Sequence, residues 1–275
     1  MRRQTTLKKE ISFSGPGLHT GKAANLTVKP ALPGTGIVFF VKGRKITASA
    51  GNTAAGSFSI TLRSGAAKVM TVEHLLAALF AMGVDNAACY LNACEVPALD
   101  GSSYPFAAAI KKAGLRKLRT ARKTFRLKGK ITVKDKDRSI SAHPAKGLKI
   151  SCRVSYPHPL IGEQKREFTV TPERFLKEIA RARTFGWSEQ VKLQKKKGLI
   201  KGAGVHNAVY FKGNRILNKE GLRFKDEVVR HKVLDIIGAL ALLPGRPEAR
   251  IIADKSGHAL DLELTRRLTC QNSRK

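Results

Sequence analysis

Residues 71–92 read TVEHLLAALFAMGVDNAACYLN. Over 71–82 the apolar residues recur at helical spacing, Thr71 suits an N-cap and Gly83 suits a stop. Residues 84–92 then read as a strand. Upstream, residues 7–13, 23–29 and 36–41 are rich in Thr, Val, Ile and Phe between Gly and Pro, and read as strands. Downstream come a turn at 100–103, a helix over 104–112, and a short, very basic stretch at 114–123 that reads as a linker. Beyond it the order returns: strands at 124–133 and 148–156, a helix over 172–181 with Pro in its first turn, and a helix over 226–243 before Pro244-Gly245. A strand at 249–253, a turn at Lys255-Ser-Gly and a helix over 258–268 close the chain. Each half thus ends helix–strand–turn–helix, which predicts an α+β fold of two units, 1–115 and 124–275. Their interface is the expected place for a site.

Fifty-two Lys and Arg against 20 Asp and Glu give the 275-residue chain a net charge of +32. Such a field attracts polyanions: nucleic acid, an anionic membrane surface or a phosphorylated small molecule. No zinc-finger spacing, basic heptad region or aromatic RNA-binding signature accompanies it, so specific nucleic-acid recognition is not expected. The cysteines at 89, 94, 152 and 270 form no C-x-x-C pair, no apolar leader begins the sequence, and no apolar run could span a bilayer. A cytoplasmic monomer with reduced thiols is the expectation.

Four segments hold chemistry. In Val229-Arg-His-Lys-Val-Leu-Asp235, His231 and Asp235 are four apart and leave one helix face, so they can grip one metal ion; a surface His–Asp pair has the same spacing. In Thr71-Val-Glu-His74, two ionisable residues open an apolar helix and are costly to bury unless paired or bound. His74 can be a third ligand and Glu73 can take a proton from water, or Glu73 merely favours the helix N-terminus. His258, after the turn Lys255-Ser-Gly, can protonate a leaving amine or simply start its helix. Gly15-Pro-Gly-Leu-His19-Thr-Gly21 permits a tight turn beside a ligand, with His19 as a candidate contact, or is an ordinary hairpin turn.

Together, GPGLHTG (15–21), TVEHLLAAL (71–79), DN (85–86), EVPALDGSSYPF (95–106), RARTFG (181–186), GLRFKDEVVRHKVLDIIG (221–238) and KSGHAL (255–260) resemble the UDP-3-O-acyl-N-acetylglucosamine deacetylases of lipid A synthesis. The resemblance runs from about residue 5 to 268. It implies two similar α+β halves packed helix layer to helix layer with their sheets outside. It implies a zinc ion, with iron(II) as the alternative, held by His74, His231 and Asp235. Glu73 matches the general base, and His258 the imidazolium that protonates the departing amine. Thr184 matches a hydrogen-bond donor to the tetrahedral intermediate, and Phe185 a contact near the sugar. Lys232 matches a lysine near the diphosphate, Lys255 being a weaker candidate for the same task. Residues 187–211 match the insertion that forms the acyl-chain tunnel, and Val191, Leu193, Leu199 and Ile200 are its expected lining. The substrate implied is a UDP-linked acylated amino sugar, with peripheral membrane contact for product handoff.

Two features depart from the pattern. Ala239 stands where the family usually places an aspartate that orients the histidine matched by His258, which predicts slower turnover or a shifted acid limb of the pH profile. Lys195-Lys-Lys197 and Lys201 make the tunnel segment unusually basic. Two other functions stay open on the residues: a paralogue with weakened or altered acyl-sugar activity, and a basic polyanion-binding protein on the same scaffold.

Overall fold

The computed structural model describes residues 2–54 and 58–273. Strands β1 (Arg3–Leu7), β2 (Ile11–Pro16), β3 (Ala23–Pro30), β4 (Ile37–Val41) and β5 (Arg44–Thr47) come first, then the short β6 (Thr53–Ala54), β7 (Thr61–Ser64) and β8 (Ala67–Val69). Helix α1 (Glu73–Met82), β9 (Ala87–Leu91), α2 (Tyr104–Ala113) and β10 (Leu115–Ala121) follow. Next are β11 (Thr124–Arg126), β12 (Ile131–Asp135), β13 (Arg138–Pro144), β14 (Leu148–Tyr156), β15 (Gly162–Thr169) and α3 (Pro172–Arg174). Then come β16 (Phe185–Trp187), α4 (Ser188–Lys196), β17 (Val209–Lys212) and β18 (Arg215–Ile216), and finally α5 (Glu227–Leu240), β19 (Arg246–Asp254) and α6 (His258–Ser273). The fold is α+β.

Two large sheets share one strand pattern. The first runs β2-β3-β9-β4-β5 and the second β12-β13-β19-β14-β15, with β11 beside β19. In each, a late strand sits between two antiparallel hairpins and lies parallel to the opening strand of the second: β9 to β4, and β19 to β14. Along β3, buried Ala24, Leu26 and Val28 alternate with more exposed residues, as a strand with one face on a core requires.

Helices α1 and α5 pack against each other, and all ten residues of α1 are buried. A helix apolar on every side has no solvent face to offer, so it sits in the interior. Their close approach depends on Gly238 of α5: a Cβ there would lie 2.5 Å from the Glu73 carbonyl oxygen. At the other end of α1, Gly83 takes the left-handed conformation at φ 93°, the stop the sequence predicts.

Several expectations need correction. Residues 114–123 are no linker: they form β10, which pairs antiparallel with β1, Leu7 opposite Leu115. The unpaired edge of β1 supplies the hydrogen bonds, and Arg122 of this basic stretch is anchored on Asp85 and the Gly83 carbonyl. The run 7–13 is broken into β1 and β2, and 124–133 into β11 and β12. The helix over 172–181 is a single α-turn followed by a π-helical turn, Phe175–Ile179. Thr71 is not the N-cap of α1. Val72 holds that place, while Thr71, itself left-handed at φ 57°, donates its hydroxyl to Glu95 Oε1 at 2.8 Å.

Candidate metal centre and active site

Glu95 is buried and builds the floor beside the first turn of α1. Its carboxylate accepts the backbone N–H groups of His19 and Thr20 and the hydroxyls of Thr20 and Thr71, all at 2.7–2.8 Å. One acid thus ties the glycine-rich turn at 15–21 to the start of α1. A β-branched residue in the left-handed region is costly and persists only where its surroundings over-determine it. Thr71 is such a case, two residues before Glu73. Lys255, at φ 51°, occupies the same region three residues before His258.

The crossing of α1 and α5 brings His74, His231 and Asp235 together: one donor atom from each lies within 4.8 Å of the others, and all three residues are buried. The two imidazoles meet edge to face, with centroids 5.1 Å apart. His231 Nδ1 is 3.1 Å from the Ala182 carbonyl, which can only accept, so Nδ1 carries the proton and Nε2 keeps its lone pair. Asp235 Oδ2 accepts from Lys232 Nζ at 2.7 Å, whereas Oδ1 is buried with no hydrogen-bond partner among the described residues and lies 3.4 Å from His231 Nε2. Burial pushes the His74 pKa down to about 3 and lowers that of His231, so both stay neutral, the form that ligates. Burial opposes ionisation of Asp235, but Lys232 and the nearby histidines outweigh it and hold the carboxyl well below the usual range. Two neutral imidazoles and an ionised carboxylate with one unpartnered buried oxygen are a donor set fitted to zinc or another divalent first-row ion.

Glu73 sits beside these donors. Burial first, and the Asp235 carboxylate second, push its pKa up to about 8, and its Oε2 accepts the Ile60 amide at 2.9 Å. His258 has Nε2 3.9 Å from Asp235 Oδ2 and a buried Nδ1 with no hydrogen-bond partner among the described residues. Burial lowers its pKa to about 4, and the Asp235 carboxylate acts against that shift. Lys232 turns toward the metal donors, with its Nζ on Asp235 Oδ2. It is buried against Asp235, and although burial disfavours its charge, the Asp235 and Asp261 carboxylates raise its pKa. Lys255 is held elsewhere, in an ion pair with exposed Asp137.

Glu73, His74, Thr184, Phe185, His231, Lys232, Asp235 and His258 line a single cavity of about 380 Å³. Leu18, Phe58, Thr184 and Phe185 also line a second cavity of about 200 Å³, so the two share a wall. The second is walled by Trp187, Val191, Ile200, Ala203, Ala208 and Tyr210, and His19 lies on it rather than among the metal donors. Of the expected tunnel lining, Val191 and Ile200 are in place, while Leu193 and Leu199 are 55% and 41% exposed. Phe185 packs edge to face on Tyr156 and His231 and joins the two cavities.

Two features escaped the sequence reading. Arg183 is buried and grips Glu227 through its N–H and guanidinium, at 2.9 Å each, which fixes the chain on either side at Ala182 and Thr184. Asp261, one turn into α6, is 2% exposed, with Ser256 and Lys232 acting on its carboxylate. Burial pushes its pKa up to about 7. Ala239 is buried on α5.

Residues 4–270 match the family described as UDP-3-O-acyl N-acetylglycosamine deacetylase. Curated proteins named UDP-3-O-acyl-N-acetylglucosamine deacetylase are similar over nearly the whole chain. The protein from Citrifermentans bemidjiense is 43% identical over 269 residues, covering 96% of this chain and 88% of its own. That from Solibacter usitatus is 41% identical over 272 residues, covering 98% and 92%. That from Teredinibacter turnerae is 41% identical over 274 residues, covering 98% and 90%.

Proposed function

Because this chain belongs to the UDP-3-O-acyl N-acetylglycosamine deacetylase family, we propose that it hydrolyses the N-acetyl group of UDP-3-O-acyl-N-acetylglucosamine. Acetate is released, in lipid A biosynthesis and in the cytoplasm. The observation that carries this reading is the convergence of two neutral imidazoles and one carboxylate beside an independently held glutamate. Zinc, or iron(II), is the ion that His74, His231 and Asp235 would hold; when bound it supplies a Lewis acid that polarises the amide carbonyl and acidifies water.

The remaining work falls to side chains. Glu73 takes the proton of the attacking water, with Oε2 steadied by the Ile60 amide. Thr184, on the wall shared by the cavities, donates a hydrogen bond to the oxygen that becomes negative. Lys232, kept charged by Asp235 and Asp261, adds positive potential beside the acetamide rather than at the diphosphate. His258 protonates the departing nitrogen. The apolar cavity behind Phe185 takes the 3-O-acyl chain.

The test is incubation with the UDP-linked acyl sugar, with acetate and free amine followed together. The expected result is equal release of both, abolished by a chelator and restored by zinc. A metal-loaded protein that forms neither product refutes the reading.

A further inference from the structure

Residues 188–219 differ in surface chemistry from the rest of the chain. They carry Lys192, Lys195, Lys196, Lys197, Lys201, Lys212, Arg215 and Lys219 against Glu189 alone. Among the described residues none of these eight cations enters an ion pair. The same segment exposes Leu193, Leu199, Val205 and Leu217 at 41–55%. Single apolar residues scattered on a surface need no explanation, but three leucines and a valine in one short basic segment do.

Hydrogen bonds knit the four into one body. The Leu199 N–H donates to Gln194 O at 2.9 Å, beside Leu193. Lys195 Nζ donates to Ala203 O at 2.7 Å, next to the loop of Val205. Asn218 Nδ2 donates to Val205 O at 2.7 Å, which brings Leu217 alongside. The inner side of this body is the wall of the acyl-sized cavity, through Val191, Ile200, Ala203, Ala208 and Tyr210. Exposed Leu193, Leu199, Val205 and Leu217 lie between its lysines along the chain.

We propose that the outer face of residues 188–219 docks on a bilayer rich in anionic phospholipid, with the exposed leucines entering the headgroup region around the mouth of the apolar cavity. Lysines draw such a surface to anionic headgroups and can reach the phosphates while their aliphatic stems lie along apolar material. A second copy of the chain is a poor occupant, because it would present the same uncompensated positive charge. The biological sense of the contact, passing acylated ligand between membrane and cavity, rests on the proposed function; the binding itself does not.

The experiment is co-sedimentation of the full chain with phosphatidylglycerol-containing vesicles and with pure phosphatidylcholine vesicles, at low and high salt. Binding to the first and not the second, weakened by salt, is expected. Lys192→Gln/Lys196→Gln/Lys197→Gln should weaken it on the order of 100-fold. Leu193→Ser/Leu199→Ser should weaken it at unchanged charge. A control removing three exposed cations elsewhere, Lys111→Gln/Lys112→Gln/Lys117→Gln, should leave most of it. Equal loss in the control assigns the binding to net charge and overturns the proposal. So does failure to bind anionic vesicles, indifference to the leucine changes, or concentration-dependent dimerisation through this face. Release of acetate from a short-chain soluble substrate, unchanged in the lysine variant, separates failure here from failure of the deacetylase reading.

Discussion

The metal-donor cavity and the apolar cavity share Leu18, Phe58, Thr184 and Phe185, yet they are held by different physics. In the first, named contacts hold the polar groups: Ala182 orients His231, Lys232 fixes one oxygen of Asp235, and Ile60 steadies Glu73. Changing one residue type removes a donor that no neighbour replaces. The second needs only shape and apolarity, which many side chains supply. Chemistry that depends on donor identity is therefore intolerant and written in fixed residue types. Chemistry that depends on volume is tolerant and is met by varied sequence.

Substitutions sharpen the contrast. His74→Ala deletes a donor and should lower kcat/KM for deacetylation by roughly 10³-fold or more, measured at saturating zinc. Glu73→Gln keeps the donors and removes the proton acceptor. It should retain metal and lose about 10²–10⁴-fold in kcat; metal loss in this variant would make Glu73 a structural residue instead.

Asp261 tests whether a polar group in this region can be spared. Its pKa near 7 exceeds the ordinary carboxylate value, so the folded state binds a proton more tightly than the unfolded one. The stability this confers is fully present below about pH 4 and is lost as pH rises through 7. Asp261→Asn should abolish that decline, gaining on the wild type by up to about 4 kcal/mol between pH 4 and pH 8. Parallel denaturation curves for the two proteins across that range would refute the assignment. The smallest effect belongs to the apolar cavity. Ala203→Trp should raise KM for long-chain substrates about tenfold and leave kcat on a short-chain substrate nearly unchanged.

The same division explains what the sequence discloses. His231 and Asp235 are legible because a spacing of four puts two donors on one helix face, and Glu73-His74 because charge opens an otherwise apolar helix. Lys232 lies three residues before Asp235, so its inward direction was also legible by spacing. Asp261 was not, since an acid in the first turn of a helix is the ordinary complement of the helix dipole. The strand β10 was hidden because its basic residues mask any alternation, and only the free edge of β1 makes it a strand. Leu193 and Leu199 look like tunnel lining in sequence because apolarity does not say which way a side chain faces.

The central claim is that His74, His231 and Asp235 form one site for a divalent ion. Metal analysis of the protein after dialysis against trace zinc, alongside His231→Ala and Asp235→Ala, tests it most directly. About one zinc per folded wild-type chain, and close to none in either variant, is the predicted result. Wild-type protein without stoichiometric metal, or variants that keep it, would contradict the site.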